Sequence, residues 1–111
     1  MKFRHNYGSE LLNNAYEKFF KGESITYEEF VIMLSTNDEL YFMYNGKEYQ
    51  IEHAGKGVVY MCVSRLENEL IILERNEKYS SIIDVLNNFE IDGKKIREIW
   101  SKVYFIKSKQ K

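Results

Sequence analysis

The sequence contains no proline, only 6 glycines and a single cysteine, Cys62. Long Pro-rich or Gly-rich linkers are therefore not expected in its 111 residues, a length typical of one domain. A lone cysteine excludes an intramolecular disulfide and a cysteine-based zinc site. No apolar run approaches the roughly 20 residues that span a bilayer, and no apolar segment of a signal peptide follows the N-terminus. These absences predict a single cytoplasmic domain with no membrane partner.

A broad excess of basic residues is also missing. The net charge is −1, but residues 25–101 contain 8 basic and 14 acidic side chains, whereas residues 102–111 contain four lysines and no acid. Because phosphate binding needs clustered cations, the acidic body argues against a wide nucleic-acid interface, and it permits docking onto a basic protein partner. The basic C-terminal segment leaves one alternative function, that of a nucleic-acid accessory protein using this tail.

Signals for helices lie at both ends of the chain. Apolar residues recur every four positions over residues 11–20 and predict an amphipathic first helix. Thr26 and Glu29 have the spacing of a capping box, in which each side chain binds the other residue's backbone N–H, and they predict the start of a second helix. Serine at residues 80–81 and Asp92 are candidate N-caps of two further helices.

The clearest single element is a hairpin around Asn45-Gly46. Both central residues of a type I′ turn need a positive φ, which Asn and Gly tolerate best. This turn sets the register of the two flanking strands, so that Phe42 opposes Tyr49 on the face expected to enter the core.

Two more strands are predicted over residues 58–64 and 69–74, joined by a turn at the residues between them. Helices that precede and follow four consecutive strands indicate the α+β class, here a four-stranded antiparallel meander with helices packed mainly on one face. We expect residues 1–24 to form an N-terminal helical extension, residues 25–106 the α+β core domain, and residues 107–111 a frayed basic tail.

A catalytic centre would have to use one of two histidines, and His53 is the better placed. In the hairpin register Asp38 is its cross-strand neighbour and would orient the imidazole, which gives a second alternative function, a small hydrolase or transferase. One neighbour does not make a triad, and no residue is assigned a catalytic role. Cys62, flanked by apolar residues, is expected to be inert. No metal-ligand or cofactor-binding spacing occurs, so neither a metal nor a cofactor is predicted.

Aromatic residues are abundant, at 15% of the chain. Most have a place in the predicted core, but Tyr41, Met43, Tyr44 and Tyr60 are candidate binding residues on the helix-free face of the sheet. Tyrosine and methionine are enriched where proteins bind proteins. One alternative is that the first helix covers this face as ordinary core. Another is base stacking, which acidic neighbours such as Glu48 disfavour.

Four short segments have the form of a helix cap, a hairpin turn and a helix start: residues 26–30 (TYEEF), 44–49 (YNGKEY), 91–96 (IDGKKI) and 98–100 (EIW). In these segments the sequence resembles a group of small uncharacterised proteins of Gram-positive bacteria. The resemblance implies the same domain boundary and carries no assigned activity. Residues 1–24 lie outside it.

Taken together, the acidic body, the Tyr/Met patch and the missing catalytic set predict a non-enzymatic protein-binding module. An inhibitor or immunity-type role toward a basic protein would fit these features. The expected partner is another protein or a second copy of this chain, which would make a homodimer.

Overall fold

A computed structural model of the protein describes residues 7–36 and 39–105. Two helices precede a four-stranded sheet, and short helices and a small hairpin follow it, which confirms the predicted α+β class. In chain order the elements are α1 (Tyr7–Phe20), α2 (Tyr27–Leu34), β1 (Glu39–Tyr44), β2 (Lys47–His53), β3 (Val59–Glu67), β4 (Leu70–Tyr79), α3 (Ile82–Asn88), β5 (Glu90–Ile91), β6 (Lys94–Lys95), α4 (Ile96–Ile99) and a 3₁₀ turn (Trp100–Lys102).

The predicted capping box opens α2 and also connects it to α1. The Thr26 hydroxyl accepts from the Glu29 N–H at 3.0 Å, and the Glu29 carboxylate accepts from the Thr26 N–H at 2.8 Å. The Lys18 ammonium of α1 lies 2.9 Å from the same carboxylate. Burial raises the pKa of Glu29, but the hydrogen bonds from Thr26 and Lys18 outweigh it and hold that pKa below its ordinary value.

The sheet is an antiparallel meander in the order β1-β2-β3-β4. Asn45 and Gly46 have φ values of +54° and +81°, as a type I′ turn requires, and the predicted register is confirmed: Phe42 opposes Tyr49. Their rings stack with centroids 5.1 Å apart. The turn residues therefore determine which side chains of the first hairpin enter the core.

The core lies between one face of the sheet and the helices. Phe42, Ile51 and Met61 are completely buried on this inner face. Trp100 packs against Phe30 of α2 with ring centroids 4.3 Å apart. Buried residues of all four helices join the same cluster, so the helices form one layer on the inner face.

Helix α1 belongs to that layer. Its Phe19 is buried and makes an edge-on contact with Phe105, with ring centroids 4.8 Å apart. The hypothesis that the first helix covers the opposite face of the sheet is therefore wrong. None of the described helices is long and apolar enough to cross a membrane. The predicted tail over residues 107–111 lies outside the described residues.

Three predicted boundaries differ from the structure. Strands β3 and β4 are longer than expected, and the chain turns at Asn68-Glu69 rather than over residues 65–68. The added part of β4 is polar because this strand is at the edge of the sheet, where polar side chains can reach water. Asp92 caps no helix: with a φ of +53° it forms, with Gly93, the turn between β5 and β6.

Candidate functional site

The face of the sheet opposite the helices, called here the outer face, is ordered by the strand register. Three rows of directly opposed residues cross all four strands. They are Glu39-Glu52-Tyr60-Lys78, Tyr41-Gln50-Cys62-Asn76 and Met43-Glu48-Ser64-Leu73. Because opposed residues in a sheet point to the same side, the side chains of each row are neighbours on the outer face.

Three of the four predicted binding residues are on this face. Tyr41 and Met43 are two residues apart on β1, and Tyr60 lies two residues before Cys62 on β3. All three are half-buried. Tyr44 does not join them: alternation along β1 turns it to the inner side, where its ring lies 6.4 Å from that of Tyr49.

The half of the outer face around Tyr41 is acidic and internally hydrogen-bonded. The Tyr41 hydroxyl donates to Glu39 at 3.0 Å, and the Gln50 amide donates to the same carboxylate at 3.1 Å. Burial, the hydrogen bond to Glu39 and the charges of Glu39, Glu48 and Glu52 raise the pKa of Tyr41 to about 12. This phenol therefore stays neutral at physiological pH and presents an apolar ring edged by acids.

The other half of the outer face is apolar and belongs to the β3–β4 hairpin. The pairing between β2 and β3 ends at Glu48 and Ser64, so the hairpin extends beyond the rest of the sheet. Four large apolar side chains on this extension are exposed, and we call them the apolar tip: Leu66 (69%), Leu70 (64%), Ile71 (71%) and Leu73 (57%). Ile71 opposes Leu66, so both share the outer face with Leu73 and Met43.

A β-bulge determines which residues of β4 reach the outer face. Val63 opposes Arg75 while Ser64 opposes Leu73, so no residue of β3 lies directly opposite Glu74 in the register. Since side chains alternate along a strand, this extra residue moves Ile71 and Leu73 from the inner to the outer side. The bulge therefore creates the apolar outer side of the hairpin.

Ion pairs hold the base of this hairpin. The Glu74 carboxylate lies 2.8 Å from the Lys47 ammonium of β2 and 2.7 Å from the Arg65 guanidinium of β3, and Arg65 also binds Glu67 at 2.8 Å. The hydrogen bond from Lys47 and the nearby positive charges lower the pKa of Glu74. Exposed pairs of this kind add little stability singly, but here they connect three strands at the point where the hairpin leaves the sheet.

The two candidate reactive residues have ordinary structural contacts. The Nε2 atom of His53 lies 3.3 Å from the carbonyl oxygen of Leu34, near the end of α2. Asp38, its predicted partner, lies outside the described residues, so the catalytic pair stays a prediction. The Cys62 thiol donates to the Asn76 side-chain oxygen at 3.5 Å. Burial and the charge of Glu52 raise the pKa of this thiol, which opposes thiolate formation.

A groove of about 960 Å³ lies on the helix layer, between α2, α3 and the start of α4. Val31 and Leu86 contribute to its floor, and both also pack on the core. The two basic groups at its rim already have partners: the Arg97 guanidinium lies over the Tyr27 ring, 5.5 Å from its centroid, and Lys95 binds Glu90 at 3.0 Å. Within residues 7–36 and 39–105, no group of three His, Cys, Asp or Glu side chains could hold a metal ion.

No family model matches this chain, and searches of curated proteins and of solved structures found no match either. The resemblance to the Gram-positive group stays a prediction. The candidate site therefore depends on geometry alone, and its main members, the residues of the apolar tip, were not predicted. Residues 69–74 were expected to be an ordinary strand of the sheet. A signal for exposure does exist, because β4 is the last strand of a meander and thus an edge strand.

Proposed function

We propose that the protein is a non-enzymatic protein-binding module that contacts its partner through the apolar tip. The observation that carries this proposal is the clustering of four large exposed apolar side chains within eight residues. Among the described residues, the other large exposed apolar side chains, Phe20, Ile83 and Tyr104, are on separate elements. Contiguous apolar patches on monomeric proteins usually mark interaction sites, whereas scattered apolar residues need no such explanation.

The energy available from the apolar tip is of the right size for binding. Burying a Leu or Ile side chain completely contributes about 1.5–3 kcal/mol. The three of these side chains that share the outer face are each roughly two-thirds exposed and can therefore contribute about 3–6 kcal/mol, before the cost of association. A micromolar complex corresponds to a binding free energy of about 8 kcal/mol. Contacts on the adjoining outer face must therefore add to the energy contributed by the apolar tip.

The rest of the outer face supports the choice of a basic partner. Glu39, Glu48 and Glu52 surround the half-buried Tyr41 and Met43 next to the apolar tip. An apolar contact bordered by acids favours a protein surface that has apolar side chains bordered by Lys or Arg. An inhibitor or immunity-type role, in which the module occupies the surface of a basic protein, is the form of binding that this arrangement favours.

Capture of partners by the tagged full chain tests the proposal. The double variant Leu66→Ser/Ile71→Thr removes half of the apolar tip, and Ile83→Thr is its matched control because Ile83 is 68% exposed on a different element. We expect partners retained by the wild-type chain, including untagged copies of the chain itself, to be lost from the double variant and kept by the control. A partner retained equally by all three proteins would contradict the proposal.

A further inference from the structure

Strand β4 has one unpaired edge. Among the described residues it pairs only with β3, so every second residue directs its backbone N–H and C=O away from the sheet. Its first four residues, Leu70 to Leu73, are all apolar and follow directly on the turn. An open edge of this composition is a template for an added strand.

We propose that the added strand is β4 of a second copy of this chain, paired antiparallel about a two-fold axis that passes beside Ile72. The inference rests on the proposed function, but it assigns the apolar tip to a second copy of this chain instead of to a basic protein. In this register Ile72 opposes its own counterpart, and Ile71 opposes Leu73 of the second copy. Leu70 opposes Glu74 of the second copy, which closes a ladder over residues 70–74.

The faces of the two copies match in this arrangement. A two-fold axis perpendicular to the sheet keeps outer side chains on the outer side. Ile71 and Leu73 of both copies therefore meet on one face, flanked by Leu66 of each copy, which opposes Ile71 within its own hairpin. Six apolar side chains that are exposed in the monomer form one cross-strand cluster.

Registers in which the two-fold axis is shifted by one residue give less favourable pairs. Asn68 and Glu69 have positive φ values of 52° and 67°, so a regular ladder cannot extend beyond Leu70 toward the turn. A two-fold axis at Ile71 would oppose Leu73 to Glu69, and one at Leu73 would oppose Ile71 to Arg75. The axis at Ile72 confines the ladder to residues 70–74 of both copies and keeps Glu69 and Arg75 outside it.

Charged side chains limit the pairing at this edge to a short ladder. The ion pairs to Lys47 and Arg65 direct the Glu74 carboxylate toward its own sheet, away from Leu70 of the second copy. The bulge at Glu74 and the exposed Lys78 limit pairing along the rest of the edge. The contact is thus short, well below the roughly 1,200 Å² of a standard interface, and a weak dimer is expected.

The register can be tested with two variants that place opposite charges at positions predicted to oppose each other. Sedimentation equilibrium of the full chain, up to about 0.5 mM, measures their dimerisation. Ile71→Lys and Leu73→Glu each place a charge in the apolar cluster, and each alone should weaken dimerisation at least about tenfold. An equimolar mixture of the two variants should dimerise again, because the lysine of one opposes the glutamate of the other and the remaining Leu73 opposes Ile71. Unchanged dimerisation of the single variants, or no recovery in the mixture, would overturn the inference.

A disulfide provides an independent measurement. In a Cys62→Ser background, Ile72→Cys should form a covalent dimer under mild oxidation, because the two residues at position 72 face each other across the axis. Leu70→Cys is the control, since the two residues at position 70 are separated by several residue spacings along the strands. Equal cross-linking at both positions would contradict the proposed axis.

The two proposals can fail separately. A monomeric wild-type chain whose capture of other proteins still depends on Leu66 and Ile71 would overturn only the second copy as partner. If the chain is monomeric and its capture of other proteins does not depend on Leu66 and Ile71, the proposed function is overturned as well. Circular dichroism and urea unfolding of each variant verify that the fold is intact.

Discussion

The two edges of the sheet are treated in opposite ways. At β1, the C-terminal segment adds a short antiparallel contact: Met43 and Tyr104 exchange backbone hydrogen bonds of 2.8 and 3.0 Å. Val103 and Phe105 on either side are buried in the core. At β4, no described residue pairs with the outer edge, and the strand begins with exposed apolar side chains. The described part of the chain thus adds a contact at one edge and leaves the other edge unpaired.

The turns of the two hairpins that contain these edge strands also differ. The β1–β2 turn, Asn45-Gly46, has glycine at its second positive φ, whereas the β3–β4 turn, Asn68-Glu69, has glutamate there. A side chain in the left-handed region costs about 1–2 kcal/mol that glycine avoids. Relaxed turn chemistry and a covered edge occur together at β1, and a strained turn and an open edge occur together at β4. Strain of this kind concentrates in functional segments, which agrees with a binding role for the second hairpin.

The largest expected effect comes from removing the side chain that anchors the covered edge. Trp100 donates from Nε1 to the Ile25 carbonyl at 2.8 Å and lies against the rings of Phe30 and Phe105. Trp100→Ala should lower the free energy of unfolding by about 3–5 kcal/mol through the lost burial and the cavity that remains. Urea unfolding followed by circular dichroism measures this change.

Trp100→Phe is the control, because it keeps an aromatic ring and removes the hydrogen bond to Ile25. Its loss of unfolding free energy should be clearly smaller than that of Trp100→Ala. A loss below about 1 kcal/mol for Trp100→Ala, the size expected of an average substitution, would show that the C-terminal segment is not fixed to the core as described.

A second change opens the covered edge without touching the core. Tyr104→Pro removes the N–H that donates to the Met43 carbonyl at 3.0 Å. Val103 already has the extended conformation that precedes proline, with φ −82° and ψ 146°, so the residue before the substitution need not change. The expected loss of stability is about 1–2 kcal/mol, and the Met43 amide, which donates to Tyr104 at 2.8 Å, should exchange its hydrogen faster.

Tyr104→Ala keeps both backbone hydrogen bonds and serves as the control for the exposed ring. The amide of Met43 should then exchange as slowly as in the wild-type chain. Equal exchange rates in Tyr104→Pro and the wild type would mean that the C-terminal segment does not protect this edge.

The comparison also shows which parts of the structure sequence reasoning could predict. Local sequence signals were sufficient to predict the capping box of Thr26 and Glu29 and the Asn45-Gly46 turn. Each of these signals requires a specific backbone conformation and determines its own hydrogen bonds. The placement of Tyr41 on the outer face followed from that turn by alternation. These are contacts within about 15 residues of sequence, where turn and cap chemistry dominate.

The candidate site was harder to predict because it depends on nonlocal features. Nothing in residues 69–74 distinguishes a buried strand from an edge strand, since both can be continuous apolar runs. The turn at Asn68-Glu69 lacks glycine, and the bulge at Glu74 is visible only in the pairing between β3 and β4. The coverage of β1 by Tyr104 joins positions 61 residues apart, which no local pattern indicates.

The smallest predicted effect comes from a substitution that gives the β3–β4 turn a glycine at its second position, as in the β1–β2 turn. Glu69→Gly should raise the free energy of unfolding by about 0.5–1 kcal/mol, since it relieves the strain at φ +67° but gives the unfolded chain more freedom. Glu69→Ala keeps the strain and should show no gain. The midpoint of urea unfolding measures both, and a destabilised Glu69→Gly would mean that the turn is not strained.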